Sequence, residues 1–396
     1  MMQPSNFSKD SPGRLVPTVG GQKAFVPNDL PPKIVWTGEL VNAVSAADRA
    51  LGRLAGLGQD MPNPHLLIRP FMRREAVLSS QIEGTQASMP QLLMFEVNEK
   101  VEQDVPDVRE VANYILALEH GLKRQKELPL SLRLIRDMHR LLLAGVRGED
   151  KQPGEFRTTQ VHVGPPNSPI EQAVFVPPPP GEELKKALDG LEKYLHAPSD
   201  LPPVVRLALV HYQFESIHPF VDGNGRIGRL LISLMLCMDG VLPMPLLYLS
   251  AYFQKTRQQY YDQLLRVNQR GTWNDWLVYF ARGVAVESMD AVDRARRLKD
   301  LQAKYMRKVR TARASVLLTQ LIEELFNQPM VTMGKVAGVL GVTPNTAQKH
   351  INRLIANGIL REVTGQKRNR IFVAEGIIKS IYEPDYRRAD LTIGRE

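Results

Sequence analysis

Apolar residues recur at three- and four-residue spacing from Thr37 to about Leu57, and again from Leu66 to Glu83. That period predicts two amphipathic helices. It continues over Val105–Lys126, Ser131–Leu143, Gly181–His196, Pro203–His218, Asn224–Met238, Ser250–Arg270 and a long run from Thr272 to about Arg310. The pattern therefore predicts a mainly α body. Two stretches depart from it. Residues 1–34 are rich in Pro, Gly and Ser and show no period, which predicts an irregular lead-in. Phe156–Pro179 holds two short β-prone runs around a Gly/Pro/Asn turn and closes in four prolines, the pattern of a β-hairpin with a stiff exit.

The pattern restarts after Arg310. Ala314–Phe326 reads as an amphipathic helix, and Val331–Leu340, Gly341–Thr343 and Pro344–Asn357 as helix, tight turn and helix, stopped by Gly358. Ile359–Val363 and Ile371–Ala374 flank a basic tip, Thr364–Arg370, as a two-stranded wing. Helix, turn, helix and wing together are the winged-helix arrangement. Thr343 suits its second helix as N-cap, and Pro344 the first helical position. That helix would face a groove with Thr343, Asn345, Thr346, Gln348, Lys349 and Asn352. Lys349 on the helix and Lys367, Arg368 and Arg370 on the wing are the candidate DNA contacts, the wing residues through phosphates. Docking a protein, or a purely structural use, is the alternative for the module. The expected divisions are 1–34, a helical region 35–104, a core 105–285, a linker helix 286–310, the module 311–376 and a tail 377–396.

Composition narrows the class. The 396 residues suit two to four domains, and 43% hydrophobic content is enough for a sizeable core. A single cysteine, Cys237, excludes a disulfide framework. The longest apolar run, Leu230–Met238, falls well short of a membrane span, and the N-terminus lacks a signal-peptide pattern, so a cytoplasmic location is expected. The formal charge of +9 is unevenly placed: residues 291–396 hold 20 Lys and Arg against 10 Asp and Glu, while the rest is close to neutral. That asymmetry suits a module facing nucleic acid on a neutral body.

The chemistry concentrates in one segment, His218-Pro-Phe-Val-Asp222-Gly-Asn224-Gly-Arg226-Ile-Gly-Arg229, a loop between two apolar helices that runs into a helix start. Gly223 and Gly225 let backbone approach a ligand, and a helix N-terminus favours an anion. Arg226 and Arg229 offer forked donors for phosphate. Asp222 offers a hard oxygen for Mg²⁺, and His218 a base. Each part alone has an ordinary structural use; together they describe a polyphosphate site with a general base. A Walker loop is excluded, because Lys-Ser/Thr does not follow the glycines.

The twelve residues resemble the full signature of the Fic family, His-Pro-Phe-x-(Asp/Glu)-Gly-Asn-Gly-Arg-x-x-Arg. The resemblance implies a Fic-type helical core that transfers AMP from ATP to a Tyr, Ser or Thr hydroxyl of a target protein. Carried over, His218 deprotonates the hydroxyl and Asp222 holds Mg²⁺. Asn224 and the amides of Gly223, Gly225, Ile227 and Gly228 bind the α-phosphate region, Arg226 the outer phosphates and Arg229 the γ-phosphate, while Phe220 anchors the loop. Ser79-Ser-Gln-Ile-Glu83-Gly84 resembles the family's inhibitory motif, which implies that Glu83 pairs with Arg229 and leaves ATP bound unproductively. The hairpin at 156–179 resembles the flap on which the target segment docks. Tyr261, then Tyr260, are the expected adenosine contacts, and Glu215 a further neighbour of the nucleotide. His211 and Cys237 are expected to be packing residues. The competing expectations are another phosphate donor, AMP removal, or a DNA-binding regulator that senses nucleotide; a homodimer is also open.

Overall fold

The computed structural model describes residues 2–59, 65–97, 106–125, 127–165, 167–309, 316–366 and 368–382. The chain is mainly helical. The lead-in is not irregular: β1 (Gly13–Pro17) and β2 (Lys23–Pro27) pair antiparallel, Leu15 opposite Phe25. Ala24, Phe25 and Val26 are buried, and the Phe25 amide donates to the Val176 carbonyl at 2.8 Å. The Pro and Gly content that suggested an irregular lead-in instead bounds two five-residue strands.

Helices α1 (Gly38–Gln59), α2 (His65–Ile82), α3 (Met89–Val97), α4 (Pro106–Arg124) and α5 (Leu132–Leu142) follow. Gly84, at φ +93°, ends the α2 segment in a conformation natural only to glycine. The sequence pattern missed α3 because Met89, Pro90, Leu92, Leu93 and Met94 are all buried, so no polar face marks a period.

Between α5 and α6 (Glu182–His196) the expected hairpin is reduced to a single bridge, Val163 to Phe175, with a short 3₁₀ turn at Ile170–Gln172. Prolines 165, 169 and 177–180 carry no N–H and cannot extend a ladder. Helices α7 (Pro203–Ile217) and α8 (Asn224–Met238) are buried almost all round, so the loop joining them is anchored in the core at both ends. The helix expected over Ser250–Arg270 is two, α9 (Ser250–Lys255) and α10 (Arg257–Arg270). They part at Thr256, whose hydroxyl bonds back to the Tyr252 carbonyl at 2.7 Å. The 37-residue α11 (Trp273–Val309) packs along α1 and α7 and continues toward the C-terminal elements.

Those elements are α12 (Val316–Asn327), β3 (Met330–Thr332), α13 (Met333–Leu340), α14 (Pro344–Ala356), β4 (Arg361–Glu362), β5 (Ile371–Val373) and α15 (Glu375–Tyr382). The sheet has three strands in the order β3-β5-β4, not the two expected, because the run read as the start of a helix at Val331 first pairs with β5. Thr332 and Thr343 cap α13 and α14 with their hydroxyls. The segment read as a tail begins with α15, whose Ile377, Ile378, Ile381 and Tyr382 are buried against α2 and α11. One hydrophobic cluster runs from α1 to α15. Among the described residues no helix is long and apolar enough to cross a membrane.

Candidate active site

His218 caps α7 in the left-handed region, φ +49° and ψ +62°, a strained position for a residue with a side chain. It turns the chain into the loop, and Gly223, at φ +80°, turns it again into α8. Three features hold that loop. Asn224 staples it, its Oδ1 accepting from the Phe220 amide at 2.8 Å and its Nδ2 donating to the Phe220 carbonyl at 2.9 Å. Phe220 is fully buried and stacks on His139, centroids 3.7 Å apart. His139 Nδ1 accepts from the Gly154 amide at 2.8 Å, so its Nε2 carries the proton and donates to the Asp222 carbonyl at 2.9 Å. Burial holds that imidazole at about 4, neutral at physiological pH.

The third feature is Arg157, 2% exposed. It donates to the carbonyls of His218 at 2.8 Å and Pro178 at 2.6 Å, tying the loop to the 156–179 segment. Burial lowers its pKa to about 10. His218 itself is half-buried. Its Nδ1 lies 3.3 Å from the Glu215 carbonyl, which assigns the proton to Nδ1 and leaves the Nε2 lone pair free. Burial first, then the positive charge of Arg157, push it down to about 4. His218 is thus a neutral base at pH 7.

The first turn of α8 supplies amides its own ladder does not use, at Asn224, Gly225 and Arg226, whereas the expected donors at Ile227 and Gly228 are taken up by that ladder and the Gly223 amide by Asp222. Arg226, fully buried, donates to Glu110 at 3.2 Å and to Asp222 at 3.3 Å, while its Nε has no partner among the described residues. Arg229, its side chain 1% exposed, donates from Nε to Ser79 Oγ at 2.9 Å, and from Nη2 to the Ser79 carbonyl at 3.0 Å and to Glu83 Oε1 at 2.7 Å. Burial works to raise the Glu83 carboxyl, yet the Arg229 charge outweighs it and keeps it ionised below its ordinary value. Burial opposes the Arg229 charge, and Glu83 chiefly restores and strengthens it. Glu83 also lies against Gly225: a methyl group there would collide with its Oε1 and stand 2.9 Å from Arg229 Nη1. A carboxylate therefore lies against the first turn of α8, a helix start whose chemistry suits an anion.

Glu215 lies beside Gly228, with Oε1 unpartnered among the described residues. Burial raises it to about 7, against the opposing pull of Arg229. Tyr260 does not line the site. It is 1% exposed, and its hydroxyl bonds to His211 Nε2 at 2.9 Å inside an aromatic cluster with Phe253 and Trp276. A tyrosine one position away on the helix, Tyr261, is the partly exposed one, with Arg257 over its ring. His211 is a core histidine held by Tyr260 and the Gly228 carbonyl, and burial keeps Cys237 protonated, its pKa near 12. Lys349 and Arg368 stand exposed on the C-terminal module, where Arg370 bonds Gln348 at 2.8 Å; Lys367 lies outside the described residues.

No group of three His, Cys, Asp or Glu side chains converges into a metal cage among the described residues. Mg²⁺ held against phosphates needs less, one or two carboxylates with water and phosphate oxygens. Asp222 fits: Oδ1 accepts from the Gly223 amide at 2.6 Å and from Arg226, while Oδ2 has no hydrogen bond among the described residues. Three residues that organise the site, Glu110, His139 and Arg157, carried no sequence signal. They lie 116, 83 and 61 positions from the loop atoms they hold.

Sequence models of the Fic/DOC family match this chain twice, the family's N-terminal region at residues 41–123 and the Fic/DOC family itself at 129–236. Proteins called protein adenylyltransferase Fic, from Drosophila grimshawi and Drosophila melanogaster, are 32% and 30% identical to it over 193 residues, 48% of this chain. The chain spans about a third of their length, 36%. Among solved structures, a Fic family protein from Desulfovibrio desulfuricans superposes with a TM-score of 0.55 at 18% identity, covering 87% of this chain and 98% of that one. Fic-1 from C. elegans superposes with a TM-score of 0.50 at 25% identity, covering 67% of this chain and 75% of that one.

Proposed function

We propose, from the Fic/DOC family models that match residues 41–123 and 129–236, that the chain is an auto-inhibited, cytoplasmic protein adenylyltransferase. It transfers AMP from ATP to a hydroxyl of a target protein and releases pyrophosphate. His218 Nε2 takes the hydroxyl proton; the oxygen attacks the α-phosphorus, and the bond to the β-phosphate oxygen breaks. The amides of α8 and the Arg226 and Arg229 guanidiniums bear the phosphate charge, the term that dominates phosphoryl-transfer catalysis. Asp222 would hold Mg²⁺, which when bound neutralises phosphate charge. The target segment lies along 156–179, where Val163 leaves an incomplete strand to extend.

One observation supports the inhibited state: Arg229 spends three hydrogen bonds on Ser79 and Glu83, and Glu83 lies against Gly225 in the first turn of α8. Labelling with ATP tagged on the α-phosphate, in Mg²⁺, tests this. Glu83→Gly should label itself or an added lysate protein, wild type far less, and Glu83→Gly/His218→Ala not at all. Label from a γ-tag alone would replace AMP transfer with a kinase-like reaction, and release of AMP from a modified target would favour AMP removal. Silence from every tag in a folded, ATP-binding protein would leave the nucleotide-sensing regulator.

A second reading concerns the C-terminal elements, read here as a winged helix. Six Lys or Arg against one Glu between Pro344 and Arg370 favour duplex DNA over a purely structural role. Binding of a mixed-sequence duplex should weaken steeply with salt; salt-insensitive or absent binding would favour a protein partner.

A further inference from the structure

The inhibitory residues Ser79 and Glu83 ride on or just beyond the end of α2, and the other half of that helix is gripped by the C-terminal module. Arg73 is 1% exposed. Its Nε donates to both Glu96 oxygens at 2.9 Å, its Nη1 to the Asn327 carbonyl at 2.6 Å and its Nη2 to Gln328 Oε1 at 2.7 Å. Burial opposes that charge and Glu96 outweighs the penalty, so the guanidinium stays firmly charged. Asn327 and Gln328 form the junction between α12 and β3, so a single side chain of the inhibitory helix bonds the C-terminal module 254 and 255 residues away.

Two more links lie beside it. Tyr382, on α15, donates its hydroxyl to the Pro70 carbonyl of α2 at 3.4 Å. Lys335, on α13, donates to the Glu96 carbonyl at 3.2 Å and so closes a ring of α2, α3 and the module. From Arg73 the helix runs as a rod of about 1.5 Å per residue to Ser79 and its end. Displacement at one end of such a rod is transmitted to the other.

We propose that Arg73 is a positioning residue for the brake: through it the docked C-terminal module fixes α2 so that Ser79 and Glu83 meet Arg229, and undocking the module frees Arg229 for phosphate. This rests on the inhibitory reading of Glu83. It makes the module, with its exposed basic helix α14, the point at which a bound macromolecule would control AMP transfer at the distant loop.

The test uses the full chain and two readouts, with Arg73→Gln, Arg73→Lys and Gln328→Ala each made alone and with Glu83→Gly. Hydrogen exchange at residues 79–85 should speed up about tenfold in Arg73→Gln, the size of an ordinary coupling between sites, and less in Arg73→Lys, which keeps the charge without the fork. Labelling from α-tagged ATP should rise by a similar factor in Arg73→Gln and Gln328→Ala, and neither should add to Glu83→Gly. Unchanged exchange at 79–85 in a folded Arg73→Gln protein overturns the proposal. So does labelling that stays at the wild-type level while Glu83→Gly labels, or labelling that rises further in the double variants. If Glu83→Gly itself is silent, the inhibitory reading is lost, and the exchange data still decide whether Arg73 holds the α2 end.

Discussion

Replacing Glu83 by Gln keeps the size of the side chain and an acceptor for Arg229 but removes the charge. Losing one member of a fully buried ion pair typically costs about 3–5 kcal/mol. Here the cost is smaller for two structural reasons. Arg229 keeps both bonds to Ser79, and the Glu83 side chain retains 32% of its surface to water, which screens the pair. About 1 kcal/mol is therefore expected, which for a chain of this size lowers the melting temperature by about 1–2 °C. Nucleotide should reverse the order. An Arg229 released to a phosphate makes a charge-assisted bond of about 1.5–3 kcal/mol, and any such gain in affinity appears as added stability when ligand is in excess. The assay is differential scanning of wild type and Glu83→Gln, with and without ATP and Mg²⁺. Glu83→Gln should melt lower when empty and gain more on ATP, by about 2 °C or more. Equal melting of the empty proteins and equal gains on ATP would refute the reasoning, because Arg229 would then not be withheld by Glu83.

Other consequences follow from the same contacts. Gly225→Ala should break the brake without gaining activity, because the methyl that displaces Glu83 also fills the space over the α8 amides; in a Glu83→Gly background, α-tag labelling should fall at least about tenfold, as for loss of an anion-binding donor. With neutral His218 as the proposed base and its pKa at about 4, kcat/KM of Glu83→Gly should hold level from pH 8 down to about 5 and fall only below. Arg157→Gln removes a positive neighbour and should move that acid limb upward; a limb already near pH 6.5 before the substitution would contradict the placement of His218. Glu215 is held at about 7 when folded, against an ordinary 4.5, so the native state binds the extra proton and its contribution to stability declines as pH rises from 4.5 to 7. Glu215→Gln should flatten the stability–pH curve in that window, measured by urea melts. Glu110→Gln weakens the hold on Arg226 and should raise the KM for ATP several-fold, about 3–10, with a smaller change in kcat.

Most helices of the body were legible because each buries one stripe against a common core, and a stripe leaves a 3.6-residue period; α7 and α8, buried almost all round, were legible as apolar segments too long for a strand. In the nine-residue α3, buried on nearly every side, neither period nor length marks a helix, and a one-residue break such as Thr256 is too short to interrupt a periodic pattern. The 156–179 segment shows the limit from the other side. β-prone runs alone suggested a hairpin, yet strand pairing needs amide donors on both sides, and the prolines withhold them. In the lead-in the opposite error arises, since pairing of β1 with β2 and burial on Val176 outweigh a composition that looks irregular.

The site divides in the same way. The loop from His218 to Arg229 is legible without any structure, because base, carboxylate, glycines and arginines fall within twelve adjacent residues, and local spacing brings them to one helix start. It also marked Glu83 as a partner for Arg229, through a motif, and the structure places the two 2.7 Å apart. How those groups are held and charged depends instead on the packing of the helices. Tyr260 and Tyr261 look alike in sequence, and burial alone makes one a core residue bonded to His211 and leaves the other at the surface. The neutrality of His218, the raised pKa of Glu215, and the grips of His139, Glu110, Arg157 and Arg73 all depend on desolvation and on partners far along the chain. Such contacts have no period and no fixed spacing, so they exist only once the helices have packed.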